Sequence, residues 1–244
     1  MLKKIFFLCC GLFIAATFLH AQVGEQRSQW ALGVNGGVSL NKVLFTPNIR
    51  QFYQVGPVAG LTARYTSERY YGLICAIQLE ANYWRAGWNE EILSSNAVRL
   101  PDTYQRNINY IQMPIMANLG LGEEQRGFKG FLLAGPQLSY ALSDKEIQSS
   151  QWTTYKIDGV SMADRANGVV AQYGKSIENH LDYGIVAGLG GEFTTKVGHF
   201  IVDARYYYGL SDLFHNAKKD PFSKSANNTL MLKFTYLMDF PRHK

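Results

Sequence analysis

The sequence contains little cysteine, and its few cysteines are unevenly placed. Of the three, Cys9 and Cys10 fall in the first apolar stretch and only Cys75 lies beyond it. A single cysteine forms no disulfide within one chain and cannot anchor a metal cluster. We therefore exclude a disulfide framework and predict that Cys75 is a small apolar residue on a strand.

Long apolar runs are also scarce. The one such run, residues 5–19, follows Lys3 and Lys4 and is shorter than the roughly 20 residues of a membrane helix. This layout is typical of a secretory signal peptide, and we expect cleavage after Ala21. A lipoprotein signal that uses one of the two early cysteines is the alternative. No window past residue 22 has the apolar length of a membrane helix.

Positive charge is in only small excess. The formal net charge is +5, and two of these charges belong to the lysines of the signal peptide. Nucleic-acid-binding domains usually carry a strongly basic face, so this balance predicts no nucleic-acid partner.

Aromatic residues and glycine are abundant, with 15 Tyr, 14 Phe and 23 Gly. Apolar and polar residues alternate with a period of two in eight segments, as in strands with two different faces. In the last segment Leu232 and Phe234 share the apolar face and Lys233 lies on the other. The fifth is the weakest, since Phe131 and Leu133 fall on its polar side. The predicted strands are residues 30–40, 55–66, 71–87, 104–121, 128–143, 181–193, 200–208 and 229–240.

The connections between these strands alternate in length. We predict tight turns at residues 67–70, 122–127 and 194–198, and long connections at 42–54, 88–103, 144–180 and 211–227. This rhythm is typical of an all-β, eight-stranded antiparallel up-and-down transmembrane β-barrel with short periplasmic turns. A soluble β-sandwich shows the same alternation. The export signal, the strand length and the aromatic residues near strand ends favour the outer membrane.

Four segments follow from this interpretation. We predict a cleaved signal peptide at residues 1–21 and a short N-terminal segment at 22–29. The outer-membrane β-barrel domain spans residues 30–240, and a basic tail spans 241–244.

Six sequence segments, in order along the domain, resemble the PorT-type outer-membrane β-barrel family. They are VNGGVSL at 34–40, LEANYWRAGW at 79–88, YIQMPIMANL at 110–119, GPQLSYALS at 135–143, DYGIVAGLGGEF at 182–193 and DARYYYGLSDL at 203–213. The resemblance implies an eight-stranded barrel in the outer membrane. It also implies an accessory role in type IX protein secretion and gliding, and it brings no catalytic motif.

Charged residues of both signs fall on the face opposite the apolar band. A membrane barrel turns that face towards its lumen, where the charges either pair as a closed plug or line an ion-selective pore. Eight strands leave a lumen that side chains just fill, so we favour the plug. The predicted lumen network is Arg64, Glu80, Asp182, Glu192, Asp203, Arg205 and Lys233.

The third long connection is more apolar than a solvated loop requires. We predict that it is partly ordered, either by strand extension above the membrane or by docking on another protein, with other envelope or secretion proteins as the candidate partners. Its candidate contact residues are Trp152, Tyr155, Ile157 and Met162. Outer-membrane lipid and lipopolysaccharide are the other expected partners, with Lys218 and Lys219 as candidate phosphate contacts.

No catalytic, cofactor or metal site is predicted. Ser, His and an acid cannot be placed together at one depth, although His180 and His215 both fall on the outer side. The acidic pairs Asp144 with Glu146 and Glu90 with Glu91 are interpreted as loop charge rather than as calcium ligands. A small passive porin, a structural membrane anchor and a lipid A-modifying enzyme remain as alternative functions.

Overall fold

The structure is a computed structural model. It describes residues 25–70, 72–93, 98–123, 127–149, 154–157, 160–163, 171–217 and 220–240. The predicted signal peptide, residues 1–21, and the predicted basic tail, residues 241–244, lie outside the described residues.

Among the described residues, the regular elements are all strands. They are β1 (Glu25–Thr46), β2 (Gln51–Phe52), β3 (Gln54–Tyr70), β4 (Leu73–Glu90), β5 (Tyr104–Gly122), β6 (Gly127–Gln148), β7 (Thr154–Ile157), β8 (Val160–Ala163), β9 (Leu181–Thr195), β10 (Gly198–Gly209) and β11 (Lys224–Asp239). Within the described part of the chain, no helix is long and apolar enough to cross a bilayer.

Eight long antiparallel strands form a closed ring. Their order around the ring is β4, β3, β1, β11, β10, β9, β6, β5, and β5 pairs again with β4. Long strands that follow one another in the chain are neighbours, and the first pairs with the last. This is the predicted up-and-down barrel. The short β2 pairs with the end of β4, while β7 and β8 form a separate hairpin.

The strands are longer than the sequence pattern predicts. The predicted turn at residues 67–70 is wrong, because β3 continues past a register shift near Ser67 until Tyr70 pairs with Leu73. At the opposite end β6 continues to Gln148, inside the connection predicted at 144–180. The polar residues in these two segments mark where a strand leaves the apolar layer. They do not mark where the strand ends, because strands exposed to water also pair.

The two faces of the strands are sorted as predicted. Leu232 and Phe234 are 54% and 51% exposed on the outside, whereas Met231 and Lys233, which alternate with them, are each 1% exposed. The exposed apolar side chains form the outer wall, where a barrel meets hydrocarbon.

Phe131 and Leu133 point inward, as the register of the weak fifth segment implies. Both are buried, and their partners on β9 are Gly190 and Gly188. A Cβ atom on Gly190 would lie 2.5 Å from the Phe131 ring. Glycine on one strand therefore leaves room for a large side chain on the next.

The two ends of the barrel differ. The end with the short connections between β3 and β4, β5 and β6, and β9 and β10 is here called the turn end, and the other the loop end. In bacterial barrels the short turns face the periplasm and the longer loops face outside. The loop end encloses an aromatic core in which the ring of Phe45 lies 5.2 Å from Trp88 and 5.1 Å from Phe222.

Candidate functional site

The interior of the barrel is the candidate functional site, because the charged residues singled out in the sequence converge there. None of the seven is more than 5% exposed: Arg64, Glu80, Asp182, Glu192, Asp203, Arg205 and Lys233. Six of them form two clusters, and Asp182 lies apart.

The central cluster consists of Glu80, Asp203, Arg205 and Lys233. Arg205 donates Nη1 and Nη2 hydrogen bonds to the two oxygens of Glu80, at 3.0 and 2.9 Å. Lys233 Nζ lies 2.5 Å from Glu80 Oε2, and Arg205 also pairs with Asp203. Two carboxylates thus balance two cations, as buried charge requires.

The turn-end cluster is centred on Glu192. Arg64 pairs with this carboxylate through both Nη atoms, at 2.5 and 3.0 Å, and Lys129 Nζ lies 3.0 Å from it. The His199 ring contacts Glu192 through Nδ1 at 2.7 Å and Asp239 through Nε2 at 2.9 Å. Glu192 therefore has two cations in contact, Arg64 and Lys129.

Both clusters bridge the ring from side to side. Glu80 on β4 and Arg205 on β10 are four strands apart in either direction, which makes their strands opposite. Arg64 on β3 and Glu192 on β9 are likewise on opposite strands. These ion pairs therefore cross the lumen and occupy its width.

Asp182 belongs to a third, largely uncharged layer nearer the loop end. It accepts hydrogen bonds from Tyr207 Oη at 3.0 Å, Ser211 Oγ at 2.5 Å and Asn227 Nδ2 at 3.0 Å. The Trp84 ring packs in the same layer, 5.8 Å from that of Tyr207, and is itself fully buried.

Several members of this network were not predicted from the sequence. Lys129, His199 and Asp239 complete the turn-end cluster, and an ion pair joins Arg106 to Asp144 at the loop end. The alternation of side chains would have found three of them: Lys129 shares the face of inward-facing Phe131, His199 that of Asp203, and Asp239 that of Lys233. Asp144 follows a register shift on β6, which reverses the alternation there.

Members of both acidic pairs assigned to solvated loop charge lie in strands and hold a loop in place. Glu90 accepts hydrogen bonds from Trp88 Nε1 and Gln172 Nε2, both at 3.0 Å, and from Tyr173 Oη at 2.6 Å. Asp144 accepts one from the Ile177 N–H at 3.1 Å. These bonds attach residues 171–177 of the third connection to the barrel mouth.

Loop residues also cover the aromatic core at this end. The buried apolar side chains from the described loops are Ile49, Ile92, Leu93, Ile177, Leu213, Phe214 and Phe222.

The candidate contact residues of the third connection are only partly described. Trp152, Lys218 and Lys219 lie outside the described residues. The backbones of Tyr155 and Met162 pair in the β7–β8 hairpin, and Ile157 pairs with Val160 at its tip.

A polar cavity of about 530 Å³ opens at the loop end and is lined by both His180 and His215. The Glu178 carboxylate in its wall accepts the His215 backbone N–H at 2.6 Å, which lowers the pKa of Glu178. Ser211 in the same wall donates its hydroxyl to Asp182. Among the described residues, no group of three or more His, Cys, Asp or Glu could hold a metal ion.

Comparisons with solved structures return outer-membrane proteins. Ail, the attachment invasion locus protein of Yersinia pestis, is 13% identical with a TM-score of 0.35, and the match covers 88% of this chain and 99% of that one. Neisserial surface protein A is 12% identical with a TM-score of 0.41, covering 86% and 99%. OprG of Pseudomonas aeruginosa is 12% identical with a TM-score of 0.44, covering 88% and 98%.

No curated protein matches this chain. The family model described as "Outer membrane protein beta-barrel domain" matches residues 20–215, which is most of the chain. The closed ring of strands with an apolar outer wall agrees with that match. The chain is therefore a member of the outer membrane protein beta-barrel domain family, located in the outer membrane.

Proposed function

We propose that this protein is a closed, non-enzymatic outer-membrane barrel that acts as an accessory component in protein secretion. The observation that carries the closed state is the bidentate contact of Arg205 with Glu80 across the lumen. A passive pore needs a continuous polar path, whereas here oppositely charged side chains meet in the middle.

The ion pairs favour a plug over a pore for a second reason. Arg64 and Glu192 repeat the same cross-lumen contact nearer the turn end, so a solute would have to break two separate buried pairs. Buried ion pairs are difficult to open, because each charge that loses its partner is left uncompensated in the protein interior.

The loop end supports the partner role. Residues 171–177 are attached to Glu90 and Asp144, so the third connection emerges from an ordered base. We place the partner contact on the part of that connection that precedes residue 171 in the sequence and carries Trp152, Tyr155, Ile157 and Met162. The resemblance to the PorT-type family supports a role in type IX secretion and gliding for that contact.

Deletion of the gene, followed by comparison of secreted proteins, tests this role. We expect the deletion strain to lose secreted proteins and a wild-type copy to restore them. A copy carrying Trp152→Ala and Tyr155→Ala should reach the outer membrane without restoring secretion. The matched control is Val197→Ala, at an exposed residue of the turn end. An unchanged set of secreted proteins in the deletion strain would exclude the secretion role.

Planar-bilayer recording tests the closed lumen separately. We expect no steady conductance from the folded protein. Open-channel currents that change ion selectivity in Lys233→Met would favour the small porin instead.

One observation favours a second candidate function. His180 and His215 line one cavity, which brings together two candidate acid–base side chains for a lipid A-modifying enzyme. Modification of a lipid A substrate that disappears in His180→Ala or His215→Ala would support this function over the accessory role.

A further inference from the structure

Charge on the outer wall is sorted by sign at the loop end. Four outward positions near the loop end of their strands are basic: Lys42 on β1, Arg85 on β4, Lys145 on β6 and Lys224 on β11. Among the described residues, no Asp or Glu takes an outward position in the loop-end halves of the eight long strands. The carboxylates at this level point inward, as with buried Glu90 and Asp182. The charged side chains that the described residues place on the outer wall at this level are therefore all basic.

Two of these cations lie beside tyrosine rings at the upper edge of the apolar wall. Lys42 Nζ is 4.0 Å from the centroid of the Tyr53 ring. Lys224 Nζ is 4.9 Å from the Tyr208 ring and 2.7 Å from its hydroxyl. Tyrosines concentrate where hydrocarbon meets headgroups, so these contacts put the cations at headgroup level.

The other two cations share one polar patch on β4, β5 and β6. Arg85 pairs in register with Asn109, which pairs with Ser143, and Lys145 lies two residues beyond Ser143. Arg85 donates Nε to Asn109 Oδ1 at 3.2 Å, and Asn109 donates Nδ2 to Ser143 Oγ at 2.8 Å. The bond to Asn109 orients the guanidinium through Nε, so the Nη groups can face a ligand.

The apolar wall continues directly beneath this patch. Ile111 follows Asn109 on the outward face of β5, and Tyr140 and Leu142 precede Ser143 on β6; all three are more than 40% exposed. A ligand here meets charge above and hydrocarbon-facing surface below. A soluble protein or nucleic acid would have to enter the bilayer edge to reach both.

We propose that Arg85 and Lys145, supported by Asn109 and Ser143, bind a phosphate group of an outer-leaflet glycolipid whose acyl chains lie along Ile111 and Leu142. Arginine binds phosphate through paired N–H donors and lysine through its point charge. Lys42 and Lys224 extend the same belt around the barrel. This inference rests on the proposed orientation, with the loop end outside.

Binding of purified lipid A to the folded full-length mature chain in detergent tests the site. Native mass spectrometry would compare lipid A with the same lipid after removal of its phosphates. We expect the double variant Arg85→Gln/Lys145→Gln to weaken binding of the phosphorylated lipid roughly ten- to thirtyfold. Each cation near a headgroup contributes a factor of about ten or less to the affinity. Binding of the dephosphorylated lipid should change little.

Two controls keep the result interpretable. Lys196→Gln removes the same charge at the turn end and should leave binding unchanged. Arg85→Lys keeps the charge without the paired donors and should give an intermediate loss. Equal binding by the double variant and the wild type, equal binding of both lipids by the wild type, or an equal loss in Lys196→Gln would overturn the proposal. Because this measurement needs no protein partner, a failed secretion experiment leaves it intact.

Discussion

Arg205 and Glu80 are 125 residues apart in sequence, lie on opposite strands of the ring, and pair through two hydrogen bonds of 3.0 and 2.9 Å. Lys233 reaches the same carboxylate from β11. The centre of the lumen is therefore held by a contact between distant parts of the chain, and this contact forms only when the ring closes. The ion pair at the centre of the lumen therefore depends on closure of the ring.

Removing one charge from the central cluster should destabilise the barrel. Glu80→Gln leaves Arg205 and Lys233 facing only Asp203, so one buried positive charge becomes uncompensated. We expect the free energy of unfolding to fall by about 3–5 kcal/mol. Urea unfolding in lipid vesicles, followed by the heat-dependent shift of the folded band on SDS gels, measures it.

The control restores the charge balance. Adding Lys233→Met to Glu80→Gln returns the cluster to neutrality and should recover part of the lost stability. If the double variant is as unstable as the sum of the two single variants, charge balance is not what stabilises the cluster.

A charged residue at mid-depth on the outer wall should lower the free energy of unfolding. Leu232 is 54% exposed on an outward position between two apolar neighbours on β11. Leu232→Arg should lower the free energy of unfolding by about 2–4 kcal/mol, because it places a cation in hydrocarbon. The same change at Leu210, which is equally exposed but follows β10 at the loop end, should cost roughly 0–1 kcal/mol. Comparable losses at both positions would contradict the membrane-facing assignment.

The inward glycines of β9 should tolerate no side chain. A Cβ on Gly190 would lie 2.5 Å from both the Phe131 ring and the Val202 carbonyl oxygen. Gly190→Ala should therefore reduce stability by about 1–3 kcal/mol through overpacking. Gly130→Ala is the matched control, since nothing lies within 4 Å of its added Cβ. Similar unfolding curves for the two variants would refute the packing explanation.

Removing a hydrogen bond at the base of the third connection should increase local opening there while the barrel stays folded. Tyr173→Phe removes the hydroxyl that donates to Glu90 at 2.6 Å. Hydrogen bonds to charged groups contribute about 1.5–3 kcal/mol, so local opening should become more frequent. We expect faster proteolysis between residues 149 and 180 while the barrel fragment stays folded. Tyr183→Phe, at an exposed outward tyrosine, should leave the cleavage rate unchanged.

Several features of this protein could be predicted from sequence. Side chains alternate across a strand, so the neighbours Leu232 and Lys233 had to lie on opposite faces. That periodicity located eight strands and grouped the seven lumen charges on one face. It also placed Phe131 and Leu133 inside, although their apolar character obscured the pattern.

Other features could not be predicted in this way. The polar residues near Ser67 suggested a turn, but strand pairing continues through them because water-exposed strands also pair. Asp144 was interpreted as loop charge, and the extension of β6 makes it a partner of Arg106.

By itself the sequence determined which residues share a face, because the pleat of a strand is a local property of the backbone. Only the tertiary structure decided that Arg205 meets Glu80 and that Arg64 meets Glu192. Those pairs depend on the register of all eight strands and on ring closure, and no local pattern encodes a contact between residues more than a hundred positions apart.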